Sequence, residues 1–76
     1  MSLYDFIALN ENQQAEAVWQ GEFVIFREGP RATVMLYRVH NFYVEVYYSN
    51  ENNAVVRFNP FRSKIRLGLY FSYSLS

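Results

Sequence analysis

The chain contains no cysteine, and it has only three glycines, two prolines and one histidine. The absence of cysteine excludes disulfides and thiolate ligands, which fits a reducing compartment such as the cytoplasm. One histidine (His40), one aspartate (Asp5) and scattered glutamates do not form a ligand set for zinc or another divalent ion. Three separated glycines do not form a phosphate-binding loop. We therefore expect no metal and no cofactor.

The residues that could carry out catalysis are isolated from one another. His40 falls at a predicted turn, and Asp5 falls at the start of a predicted helix. The serines lie in predicted loops or near the C-terminus, without a neighbouring base and a third residue to orient it. We therefore expect that the protein is not an enzyme.

The charges of the chain cancel, because seven basic residues stand against seven acidic residues. Binding to nucleic acid through phosphates usually needs a basic surplus, which is missing here. Zero net charge also removes the repulsion that keeps small proteins apart, so it favours self-association. No apolar run approaches the roughly 18 residues of a membrane span, and we expect no membrane partner. The length predicts a single domain over residues 1–76.

Aromatic residues, in contrast, are abundant: seven Phe, seven Tyr and one Trp make up 20% of the chain. A chain of this size buries only about 60% of the surface that its unfolded form exposes. Each buried ring removes roughly 150–250 Å² from water. The small core therefore depends on these rings, or on an interface with another chain.

Two helix-start signals stand near the N-terminus. Ser2 with Asp5, and Asn10 with Gln13, have the spacing of capping boxes. They predict two short helices that meet at Asn10, or one helix kinked there. Trp19 lies on the apolar stripe of the second segment, and we expect it to anchor the core.

Four segments rich in β-branched and aromatic residues follow, and they predict four strands. Pro60 is expected to end the fourth strand, because proline cannot donate to a sheet ladder. The segment from Ser63 to Ser76 suits either a helix or a fifth strand. The fold class is therefore α+β: an N-terminal helix or helix pair packed on a four-stranded antiparallel meander. The predicted strands are Glu22 to Arg27, Ala32 to Val39, Phe42 to Tyr48 and Ala54 to Asn59.

The turns predict which side chains share a face of the sheet. A two-residue turn at His40-Asn41 places Val39 opposite Phe42. A loop from Ser49 to Asn53 places Tyr48 opposite Ala54. Both hairpins put the same set on one side, called here the first face, and we expect it to be the core. That set is Met35, Tyr37, Val39, Phe42, Val44, Val46, Tyr48, Ala54, Val56 and Phe58.

The opposite side, called the second face, combines tyrosines and arginines with apolar residues. Its predicted register places Glu45 opposite Leu36 and Arg57, with Arg38 diagonal to it. Cross-strand pairs on a solvated sheet have this pattern, but Tyr and Arg are also enriched at interface hot spots. Either the second face is an exposed interaction surface, or the C-terminal segment covers it. The candidate interaction face comprises Leu36, Arg38, Tyr43, Glu45, Tyr47, Val55 and Arg57.

Two functions remain from the sequence. The first is a small protein-interaction module that associates with itself, through the aromatic sheet face or the apolar C-terminal segment. The second is a single-stranded nucleic-acid binder, in which Tyr43 and Tyr47 stack on bases while Arg38 and Arg57 bind phosphates. The zero net charge and the central Glu45 favour the first.

The segments LYDFIALNENQQAEAVW, GEFVIFRE and LYRVHNFYVEVYY resemble a group of small uncharacterised bacterial proteins. Those proteins share a Gln-Ala-Glu-Ala-x-Trp helix and a Phe-Tyr-Val-Glu-Val hairpin, and the resemblance covers residues 3 to about 63. It implies a bacterial protein of the same fold, and no known activity attaches to the group; the expected location, the cytoplasm, follows from the absence of cysteine. Their turn is often Asp-Gly, where this chain has His40-Asn41. Their C-terminal segment is helical and charged, unlike SKIRLGLYFSYSLS here.

Overall fold

The computed structural model of the protein describes residues 1–62, Gly68 and Tyr70. Two helices precede four strands, which form one antiparallel sheet in the order β1-β2-β3-β4. This arrangement confirms the predicted α+β fold. The predicted helix or fifth strand over residues 63–76 lies outside the described residues, apart from Gly68 and Tyr70, which are helical. The elements are α1 Leu3–Ile7, α2 Glu11–Trp19, β1 Glu22–Glu28, β2 Ala32–Val39, β3 Phe42–Ser49 and β4 Val55–Phe61.

Both helices begin at the predicted capping boxes. The Ser2 hydroxyl accepts a hydrogen bond from the Asp5 N–H at 3.1 Å, and the Asp5 carboxylate accepts one from the Ser2 N–H at 3.0 Å. Asn10 and Gln13 repeat this exchange at 2.9 and 3.1 Å. Each box satisfies backbone donors that a helix start leaves free. The segment is therefore two separate helices rather than one kinked helix.

The hairpin of β2 and β3 has the predicted register. Val39 lies opposite Phe42, Tyr37 opposite Val44 and Met35 opposite Val46. The turn residue His40 has a φ of 54°, the left-handed conformation that a tight two-residue turn requires.

The hairpin of β3 and β4 departs from the predicted register. Tyr48 lies opposite Val55 instead of Ala54, and Tyr47 lies opposite Arg57, so Val56 is an extra residue in a β-bulge. Beyond the bulge the strand runs through Pro60 to Phe61, and the expectation that Pro60 ends it is wrong. Because β4 is an edge strand, the missing N–H of proline can face away from the ladder.

The first face forms the larger core cluster beneath the two helices. Phe6 is fully buried and makes edge-to-face contacts with Phe42 and Phe58, at centroid distances of 5.7 and 6.4 Å. Ala54 and Val56 were expected in this core but are exposed, because the bulge displaces them from the regular alternation. The cluster comprises Phe6, Val18, Val39, Phe42, Val44 and Val46, with Met35, Tyr37, Tyr48 and Phe58 packed against it.

Trp19 is not the core anchor that the helical stripe predicts. Its side chain is 47% exposed, although it packs on the first face against Tyr37 at 5.5 Å and Phe58 at 6.3 Å. The physical reason is its position as the last residue of α2, since no further helical turn follows to cover the ring. Phe6 and Val18 take the central place instead.

A second core cluster lies on the second face. Val34, Leu36, Phe61 and Tyr70 are buried together, and Ile25, Tyr43 and Tyr47 pack against them. The sheet thus has apolar side chains packed on both of its faces. Of the two interpretations of the second face, coverage from the C-terminal side fits the position of Tyr70.

Candidate interaction surfaces

The structure places most of the predicted interaction face on one side of the sheet, but it buries the centre. Leu36 lies opposite Glu45 in the register, and both side chains are 0% exposed. The expectation that Leu36 contributes to an exposed patch is therefore wrong, because Tyr70 and Phe61 pack with it. Val55 lies opposite Tyr48, a residue of the first face, because the bulge shifts it out of the predicted group.

Glu45 is the one buried charged residue of the part of the chain that the structure describes. Its Oε1 accepts hydrogen bonds from the Asn59 amide at 2.7 Å and from the Tyr47 hydroxyl at 3.3 Å. Its Oε2 accepts one from the Tyr70 hydroxyl at 2.7 Å and lies 4.0 Å from Nη2 of Arg27. The carboxylate therefore joins β1, β3 and β4 with Tyr70. A buried charge needs partners of this kind, because burying it unpaired would cost much more free energy.

The arginines differ from the predicted cluster of Arg38, Glu45 and Arg57. The β3–β4 register places Asn59 opposite Glu45, and Arg57 instead lies over the ring of Tyr47 at 4.3 Å. Arg38 pairs at 3.9 Å with Glu22 of β1. Arg27, which the predicted cluster does not include, supplies the cation at Glu45.

The two tyrosine rings of the predicted interaction face are also partly covered. Tyr43 is half-buried and stacks on Phe61 at 5.8 Å, with 25° between the ring planes. Arg57 occupies one side of Tyr47. These contacts leave Tyr43 and Tyr47 less ring surface for stacking on a base or on another protein.

The Glu45 network makes stability at alkaline pH depend on Tyr70. Burial, and then the hydrogen bond to Glu45, raise the pKa of the Tyr70 hydroxyl well above its ordinary value of 10.0. Folded Tyr70 keeps its proton at a pH where the unfolded chain loses it. The contribution to the free energy of unfolding is therefore complete below pH 10 and is lost as pH rises beyond it.

We expect the free energy of unfolding, measured by urea titration between pH 8 and about 11, to fall above pH 10. The Tyr70→Phe variant should show a shallower fall, because it has no hydroxyl to titrate. Tyr4→Phe, the same change at an exposed residue, serves as the control and should follow the wild type. Equal slopes for wild type and Tyr70→Phe would contradict the assignment.

A different apolar surface lies along β1 on the first face. Phe23 and Phe26 are 48% and 50% exposed, and Trp19 of α2, on the same face, is 47% exposed. The ring of Tyr37 contacts both Phe23 and Trp19 at centroid distances of 5.5 Å. Trp19, Phe23 and Phe26 are called here the β1 aromatic patch.

Sequence patterning misses this patch because of a second irregularity in the sheet. Phe23 and Phe26 are three residues apart, and a regular strand would place them on opposite faces. A bulge lies between Phe23 and Ile25, so Phe23 pairs with Tyr37 and Phe26 with Met35, both on the first face. The alternation of side chains gives no signal for the position of such a bulge.

Within residues 1–62, Gly68 and Tyr70, no three His, Asp or Glu side chains come close enough to hold a metal ion. No helix in this same part of the chain is both long and apolar enough to cross a membrane. Comparisons with protein-family models, with curated proteins and with solved structures find no match to the chain.

Proposed function

We propose that the protein is a small non-enzymatic interaction module that associates with itself through the β1 aromatic patch. The observation that carries the proposal is the exposure of three large rings on the first face: Trp19 and Phe23 both contact Tyr37, and Phe26 lies on the same strand as Phe23. Contiguous exposed apolar surface on a small domain is typical of protein interaction sites. Tryptophan is also among the residues enriched at binding hot spots.

The proposed interface lies on the first face, whereas the sequence predicts an interface on the second face. The second face has its central residues, Leu36 and Glu45, fully buried. The β1 aromatic patch, in contrast, keeps about half of each ring available to a partner. Zero net charge supports association between identical chains, because no overall repulsion opposes it.

We expect wild-type protein to form dimers or larger oligomers at high micromolar concentration, measured by sedimentation velocity over a concentration series. The double variant Phe23→Ser with Phe26→Ser should be monomeric in the same range, because it removes the rings that become buried on association. The matched control is Tyr4→Ser with Ile7→Ser, which removes more exposed apolar side chains on α1. The control should sediment like the wild type, and a monomeric wild type would contradict the proposal.

The dependence of affinity on salt concentration distinguishes binding to single-stranded nucleic acid from self-association. A protein–nucleic acid complex held by phosphates weakens steeply as salt is raised. An interface of aromatic rings keeps its affinity or gains some. Sedimentation at low and high salt, with and without a labelled oligonucleotide, therefore distinguishes the two functions.

A further inference from the structure

The two edges of the sheet differ in how well they are protected against pairing with another strand. Both edge strands carry a bulge, but only β4 also carries a proline, Pro60, which cannot donate to the ladder of an added strand. β1 contains no proline, and six of its seven residues are exposed. Among the described residues, β1 is therefore the edge that is open to a further strand.

The register with β2 assigns each residue of β1 to a face. Phe23 and Phe26 lie opposite Tyr37 and Met35 on the first face. Glu22 and Arg27 lie opposite Arg38 and Val34, which belong to the second face. Ile25 lies opposite Leu36, and Val24 is the neighbouring bulge residue. Glu22 and Arg27 thus lie on the second face, and Phe23 and Phe26 between them lie on the first, so this order is the same in both directions along the strand.

This order makes β1 complementary to itself. When two copies of β1 run antiparallel about a two-fold axis between Val24 and Ile25, Glu22 faces Arg27 of the second copy. The same register places Phe23 opposite Phe26 of the second copy and Val24 opposite its Ile25. The Glu22–Arg27 pairs and the Phe23–Phe26 pairs each join residues of one face, as neighbouring strands require. The two outer pairs join opposite charges, and the next two join aromatic rings.

The two registers that are shifted by one residue do not pair residues of the same face in this way. A shift by one residue places Phe23 opposite Arg27 of the second copy, or opposite its Ile25. Either pairing sets a first-face residue against a second-face residue, which strand pairing does not allow. The first shift also sets Glu22 against Glu28, so two like charges meet.

We infer that β1 pairs with β1 of a second copy in this register, joining two four-stranded sheets into one continuous sheet. The inference rests on the proposed self-association and specifies its geometry. In that dimer the β1 aromatic patches of both chains lie side by side on the same face of the joined sheet. Main-chain hydrogen bonds supply affinity, and the Glu22–Arg27 pairs select the register.

The first test is a charge reversal with a matched control. Glu22→Lys places lysine opposite Arg27 of the second copy at both ends of the pairing. Glu28→Lys makes the same change in net charge on the same strand, but Glu28 lies opposite Thr33 on the first face, outside the paired stretch. Sedimentation equilibrium should show dimerisation weakened about tenfold by Glu22→Lys and unchanged by Glu28→Lys.

Glu22→Lys should leave the fold intact. The partner of Glu22 within the chain is Arg38 at 3.9 Å, and both side chains are mostly exposed. Exposed pairs contribute little to folding. Raising salt should restore part of the lost affinity of Glu22→Lys, because it screens the new repulsion.

The second test is a cross-link, for which a chain without cysteine is well suited. Glu22→Cys and Arg27→Cys are prepared separately, mixed and oxidised. The mixture should form disulfide-linked dimers. Neither variant alone should do so, because identical positions are about 16 Å apart in this register. If Arg27→Cys proves unstable, because Arg27 contacts Glu45, mixing Phe23→Cys with Phe26→Cys tests the same register.

The outcomes separate this inference from the proposal on which it rests. A monomeric wild type overturns both. An oligomeric wild type that Glu22→Lys and Glu28→Lys affect equally, with no cross-link in either mixture, overturns the β1 pairing and leaves self-association standing. A selective effect of Glu22→Lys together with a cross-link in a mixture supports the pairing.

Discussion

Replacing Phe6 with alanine is expected to lower the free energy of unfolding by roughly 3–5 kcal/mol. Phe6 is fully buried and contacts the rings of Phe42 and Phe58. It is the large apolar side chain by which α1 is fixed to the sheet. The loss combines the transfer energy of the ring with the cavity left between α1 and the first face. Stability is commonly about 0.05–0.15 kcal/mol per residue, so this change removes much of what a chain of this size has.

Urea denaturation followed by circular dichroism measures the effect of Phe6→Ala. Tyr4→Ala is the matched control, because it also removes an aromatic ring from α1, but from a side chain that is 72% exposed. We expect the control to change the free energy of unfolding by less than about 0.5 kcal/mol. Similar losses in the two variants would mean that α1 is not anchored by Phe6.

Replacing Glu45 with alanine is expected to cost roughly 2–6 kcal/mol, the second large effect. The change leaves the Asn59 amide and the Tyr70 hydroxyl without the carboxylate that accepts their hydrogen bonds. Each buried donor that loses its partner costs about 1–3 kcal/mol. The lost ion pair with Arg27 contributes less to the drop in the free energy of unfolding, because the Arg27 side chain is partly exposed and water screens the pair.

Glu45→Gln provides the comparison for Glu45→Ala. It keeps the volume of the side chain and one carbonyl acceptor, so it should be clearly less destabilising. Urea denaturation at pH 7 measures both variants. A fold that tolerates Glu45→Ala without loss of stability would show that the network contributes nothing net, as some buried ion pairs do.

The central hairpin could be predicted from sequence because two signals agree there. The turn at His40-Asn41 fixes the pairing of Val39 with Phe42, and the alternation of side chains independently places Val44 and Val46 in the core. A slip by one residue would turn every side chain to the other face, so the pattern tolerates only one solution. The capping boxes are equally local, because each depends on two residues three positions apart.

What the sequence could not reveal depends on bulges and on contacts between distant residues. Val56 and the Phe23–Ile25 step each interrupt the alternation, and no residue type marks the interruption. The burial of Glu45 depends on Tyr70, which lies 25 positions away. Patterning assigned Glu45 to the correct side of the sheet, but it could not show what covers that side.

The meander topology and the position of Glu45 together bear on the order in which the fold assembles. Each strand is paired with its neighbour in the sequence, so little chain entropy is lost when contacts close, and folding of such sheets can start at one turn. Glu45 belongs to β3, in the central hairpin, whereas its partners Arg27 and Asn59 belong to the outer strands. While that hairpin forms alone, water solvates the carboxylate. We expect that removing that water becomes favourable only when β1, β4 and Tyr70 have all docked. We therefore expect dehydration of this single side chain to couple the two edges of the sheet, so that they form and melt together.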